Sequence, residues 1–316
     1  MKMKNMIIMI LLFAYFLPLQ IVLSNEVTDI ESLIKSHFEV IKDANQYMEQ
    51  SINITDEQLK KSNPDKLLLL LANYDKDISL FARQYAFLYE IRIAKLHPTV
   101  EIKQKVSERL IKAIVDSDAS VIGSAYEWLF SLEKEDFNEY AKETIRNSLA
   151  KSQPDGRMIK ICGIADIKEE LPLLEELLIE KDNVSYTTKW YYKTSWYARL
   201  ARARMGIKED IEECIKLSES VEDLDERVVR IFPDIGYIKQ PEIIEYFKKY
   251  LESDERMPPL SSIVPGSLYA SRVVHILAET LENFPIKQKD ARNYMEEEIE
   301  LCRKWILEQK EWQIKN

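Results

Sequence analysis

The chain has 316 residues, 46% of them apolar and 31% charged, with a formal net charge of −10. That apolar share supports a sizeable buried core and argues against wholesale disorder. The acidic balance, without a long basic block, disfavours nucleic acid and anionic membrane as partners, and six glycines are too few for a turn-rich sheet fold.

Residues 1–24 read as a cleavable signal peptide. Lys2 and Lys4 form a positive start, Met6–Leu17 is an unbroken apolar run, and Pro18 breaks it before Val22-Leu23-Ser24. The run is shorter than the roughly 20 residues a spanning helix needs; an uncleaved N-terminal anchor is the rival reading, and only that rival implies membrane attachment. Loss of Lys2 and Lys4 would take the net charge from −10 to −12. The expected location is secreted or periplasmic.

Residues 25–76 read as an N-terminal helical cap. Ile30, Ile34, Phe38, Ile41, Ala44 and Met48 recur at helical spacing. Thr55 and Gln58 fit a capping box, and Pro64 suits the first turn of a helix carrying Leu67–Leu71, which should be buried on more than one side. From 77 to 316 the pattern becomes pairs of amphipathic helices, about six in number. Asp77 is expected to cap the first, and His97-Pro98 to end it. Asp118 opens the next pair. In the two central pairs, Ile159–Asp166 leads into Leu171–Leu178, and Ala198–Gly206 into Ile211–Leu217. Gly163, Gly206 and Gly236 are read as closing the first helix of successive pairs, and Pro233 should kink or end the helix it sits in. The last pair spans Gly266 to Asn283 and Asp290 to about Trp312. Insertions at 180–194 and 252–265 are long for such turns. The expected fold is all-α, a solenoid of helical hairpins.

The segments Ile164–Leu174, Ala201–Ile211 and Ile235–Ile244 resemble the HEAT-like repeat family, including its branch named after phycobilisome lyases. The resemblance covers about Arg157 to Leu251, and near Leu132–Ala141 the glycine is missing. It implies an armadillo-like α/α superhelix and a protein-binding scaffold. The shared motif is one of packing, so it carries over no functional residue.

Chemical motifs are absent. His37, His97 and His275 are isolated, and no metal spacing, nucleophile elbow, phosphate loop or dinucleotide fingerprint occurs. No catalytic, cofactor-binding or metal-binding residue is proposed. Cys162, Cys214 and Cys302 fit buried core positions, with a Cys162–Cys214 bridge as the alternative. One segment stands out: Tyr186–Tyr197 holds six aromatics in twelve residues. Its rings either pack inward or form a platform, for which the candidates are Trp190, Tyr191, Tyr192 and Trp196. Arg199, Arg202 and Arg204 would add positive charge beside it.

These observations favour an exported, non-enzymatic scaffold with a protein partner, no nucleic acid and no cofactor. An exported α/α-toroid enzyme or binding protein for glycans, using the aromatic segment as a sugar platform, is the alternative. A structural envelope component is a third reading.

Overall fold

The computed structural model describes residues 29–43, 54–74, 77, 79–115, 122–151, 154–179, 189–258, 266–287, 289, 294–309 and 311–315. The expected leader, Asp118, most of the insertion at 180–194 and the end of that at 252–265 lie outside the described residues. The described part is all-helical; its extended pairings are two isolated bridges, Arg256 with Leu268 and Leu281 with Ile314.

Local chemistry sets the helix starts. Helix α1 (Ile30–Asp43) is followed by α2 (Asp56–Lys61), which opens on the expected capping box: the Thr55 amide donates to Gln58 Oε1 at 2.8 Å, and the Gln58 amide to Thr55 Oγ1 at 3.3 Å. Pro64 begins α3 (Pro64–Leu71) behind an Asn63 cap. Its leucine run is not buried all round. Leu67, Leu68 and Leu71 face inward while Leu69 is 74% exposed, because this short helix turns one face to its neighbours and the other to solvent. Helix α4 (Leu80–Leu96) starts later than expected. Ser79 is its cap, and Asp77 instead accepts from the Ser79 amide at 2.9 Å. It ends at His97 before Pro98, as the proline requires.

Pairs of helices follow: α4 with α5 (Val100–Val115), α6 (Ile122–Leu129) with α7 (Glu139–Leu149), and α8 (Gly156–Ile164) with α9 (Leu171–Glu176). Then come α10 (Thr194–Arg204) with α11 (Lys208–Glu219), and α12 (Leu224–Glu226) and α13 (Phe232–Tyr237) with α14 (Pro241–Leu251). The last pair is α15 (Tyr269–Thr280) with α16 (Glu296–Glu308). Helices also pack beyond their immediate neighbours: α4 on α6, α5 on α7, α8 on α10, α10 on α13, α13 on α15, and α14 on α16. Where the glycine is missing, between α6 and α7, a 3₁₀ turn at Lys134–Asp136 makes the connection. Buried Asp136 holds that turn, accepting from the Glu133 amide at 3.1 Å and from Lys103 Nζ at 3.0 Å.

The closing glycines are not equivalent to one another. The left-handed residues that end the first helices are Asp166 (φ 50°), Gly206 (φ 90°), Lys239 (φ 49°) and Asn283 (φ 54°). At the first two, matching bonds close the helix: the Ile167 amide donates to the Cys162 carbonyl at 3.3 Å and the Ile207 amide to the Arg202 carbonyl at 3.1 Å. Gly163 and Gly236 sit three residues earlier, inside their helices. There a side chain would collide, at Gly163 with the Tyr237 hydroxyl and the Ala201 backbone, at Gly236 with Ile276. Ala203 and Thr280 fill the same place before Gly206 and Asn283, and both are buried. Small residues here let neighbouring first helices approach closely.

Pro233 neither ends its helix nor leaves it regular. A π turn, Arg227–Ile231, joins α12 to α13 and takes up the missing amide donor. Helix α16 stops short of Trp312, and the tail turns back: the Lys315 amide donates to the Thr280 carbonyl and the Glu282 amide to the Gln313 carbonyl, both at 2.8 Å.

Two hydrophobic cores result. The first runs from Ile34 to Met205 and joins the N-terminal helices, through Ile54, Leu59, Leu67 and Leu71, to the first pairs. The second runs from Tyr191 to Ile306. Helix α10 belongs to both: Ala198 and Ala201 face the first, Trp196, Leu200 and Ala203 the second.

Candidate functional site

The aromatic segment lies at the N-terminal end of α10. Trp190–Tyr192 form a 3₁₀ turn that feeds the helix. Trp196, on its first turn, points inward and is only 2% exposed. Its indole Nε1 donates to Asp234 Oδ2 at 2.8 Å, and Lys160 Nζ donates to Asp234 Oδ1 at 2.8 Å. That ion pair lets a large ring be buried without stranding its N–H. Trp190 sits half-buried, edge-on to Trp196 with centroids 4.7 Å apart. Tyr191 is 6% exposed, and its hydroxyl donates to the Glu226 carboxylate, which also accepts from Lys189. Burial, and then that carboxylate, raise the Tyr191 pKa, while the Lys189 and Tyr191 donors hold Glu226 below the usual carboxylate range. Tyr192 is 52% exposed.

The expected four-residue surface is therefore corrected. Tyr191 and Trp196 are core side chains, and the accessible rings of the segment are Tyr192 and, in part, Trp190. The signals that decide this, Glu226 and Asp234, are more than thirty residues away in sequence. The arginine run is spent elsewhere too. Arg199 and Arg202 both hold buried Asp210, at 3.0 and 2.6 Å, and Arg204 Nη1 donates to the Tyr237 carbonyl at 2.8 Å.

The other end of α10 borders a cavity of about 350 Å³. Its lining comes from the closing turns of consecutive pairs: Lys134 before α7, Asp166 and Lys168 after α8, Arg204 and Met205 at the end of α10, Lys239 and Gln240 after α13. The returning tail adds Lys315, whose Nζ donates to the Ala278 carbonyl at 2.7 Å. Gln240 Nε2 donates to the Arg204 carbonyl at 3.0 Å, tying two of the turns together. Burial, reinforced by the Arg204 charge, pushes the Lys239 ammonium down to about 8 against the opposing pull of Glu279 and Glu133. Burial lowers Arg204 as well. Such a cavity offers cationic hydrogen-bond donors. Its lysines are scattered through the sequence, and they come together only once the turns are aligned on their left-handed residues.

His37 is buried among the edges of Phe38, Tyr85 and Tyr89, and burial lowers its pKa. His97 Nε2 lies 3.1 Å from the Leu59 carbonyl, and His275 Nδ1 lies 3.4 Å from the Tyr294 hydroxyl. The three cysteines are free and buried, with no Cys162–Cys214 bridge; burial raises all three thiols, Cys302 to about 12. Among the described residues no group of three or more His, Cys, Asp or Glu could hold a metal ion, and no helix is long and apolar enough to cross a membrane. No family model matches the chain, and no curated protein matches it significantly.

Proposed function

We propose that the chain is an exported, non-enzymatic scaffold whose HEAT-like repeats stack into an α/α superhelix and bind a protein partner. One observation carries this reading. In four consecutive pairs a left-handed residue closes the first helix, with a small buried residue three positions before it: Gly163 and Asp166, Ala203 and Gly206, Gly236 and Lys239, Thr280 and Asn283. A packing unit repeated in register supports a stacked array, whose extended surface suits recognition of another protein. The charged start of residues 1–24 supports export, and exposed Tyr192 beside Trp190 offers an aromatic anchor at the edge of the insertion.

The test is affinity capture with the mature chain from the envelope fraction, alongside a Tyr192→Ala variant. Loss of a captured protein in the variant, with an unchanged melting temperature, is the expected result. Capture that is indifferent to Tyr192 would overturn the assignment of this edge. N-terminal sequencing of the exported chain should begin near Asn25; a chain retaining Met1–Ser24 would contradict cleavage.

A further inference from the structure

We propose that the cavity at the C-terminal end of α10 is a binding site for a small, multiply charged oxyanion bearing phosphate or carboxylate groups. Five cations, Lys134, Lys168, Arg204, Lys239 and Lys315, line it; the carboxylates beside them are Asp166, 3.8 Å from Lys168 Nζ, Glu135, 3.8 Å from Lys134 Nζ, and Glu133 and Glu279, which act on Lys239. An acidic protein that gathers five cations from separate turns and its own tail concentrates donors suited to an anion in one place. The volume, about 350 Å³, is in the range of small-ligand sites.

The backbone gives an independent observation. Lys239 is left-handed at φ 49°, in a position where the adjacent pair uses Gly206. Glycine or asparagine would fit there with less strain, so this lysine carries both a backbone cost and a burial cost. Two of its neighbours are already held in place. Arg204 is fixed by the Tyr237 carbonyl and Lys315 by the Ala278 carbonyl, so little side-chain order remains to be lost on binding. The groups acting on Lys239 are Arg204, Lys315, Glu279 and Glu133. Burial and the like charges hold its ammonium down to about 8, and a bound anion would reverse that displacement.

The test is calorimetric titration of the chain with inorganic pyrophosphate and, separately, with citrate, at matched ionic strength. The two arms distinguish phosphate from carboxylate recognition. Saturable one-site binding of at least one probe is expected, weakening as pH rises through 8. Lys239→Asn should weaken it about tenfold or more while the melting temperature stays level or rises, since asparagine tolerates the left-handed backbone. Lys168→Gln, an exposed change, should also weaken binding, whereas Lys61→Gln on distant α2 should leave it unchanged. The proposal is overturned if neither probe binds, or if Lys239→Asn and Lys168→Gln bind as the parent does.

Discussion

The two ends of α10 use their residues in opposite ways. The N-terminal end is the most conspicuous stretch of the sequence, and its rings are largely spent on the interior: Trp196 and Tyr191 are buried and bonded to Asp234 and Glu226. The C-terminal end has no motif, yet it borders the cationic cavity. Aromatic clusters are what a core needs anyway, so their density carries little functional information. A convergence of like charges opposes folding through repulsion and desolvation, which neighbouring carboxylates or a bound anion would offset.

That contrast can be tested by perturbing each end. The largest effect is expected from Trp196→Ala, about 3–5 kcal/mol in urea unfolding; a cost below about 1 kcal/mol would return this ring to the surface. Gly163→Ala comes next, at about 1–3 kcal/mol, because the added carbon would lie 2.9 Å from Ala201 Cα and collide with the Tyr237 hydroxyl. A neutral result would mean that α8 and α10 can separate without loss. At the cavity end the effect is smaller and depends on pH. Below pH 8 Lys239 is protonated both folded and unfolded, so its penalty is fully present. Between about 8 and about 10.4, the unfolded value, the folded chain releases the proton first, and stability rises with pH. Unfolding free energies of the parent should therefore gain on those of Lys239→Asn across that window; parallel curves would refute a depressed lysine. The smallest change is Tyr192→Ala, within about 0.5 kcal/mol in thermal unfolding, since half of this ring is already in water. A larger loss would place the whole segment in the core.

Helical periodicity made most of the fold legible. The apolar positions of α8, α10 and α11, the Thr55 capping box and the stop at His97-Pro98 stand where the sequence places them. The register of the closing turns was not legible, because glycine serves two purposes here. Gly206 provides a positive φ, whereas Gly163 and Gly236 provide room, and sequence shows the same letter for both. Asp166, Lys239 and Asn283 take the left-handed position without announcing it. At the site, Tyr192 was legible as a candidate. The burial of Trp196 and Tyr191 was not, since it depends on carboxylates from another pair of helices. The cavity also needs the tail to fold back onto Thr280 and Glu282, whereas periodicity carried the last helix on to Trp312.

Helix α10 closes the first core with one face and the second with another. Neither core is complete without it, so the two halves of the molecule cannot melt independently at this point. Its eleven residues span about 16 Å at the usual helical rise, with Tyr192 beyond one end and the cavity at the other. Amide protons in the middle of α10 should therefore be among the last to exchange with solvent, opening only when both halves are lost together. An anion held at one end of this rod would be braced against the same buried helix that carries the aromatic edge.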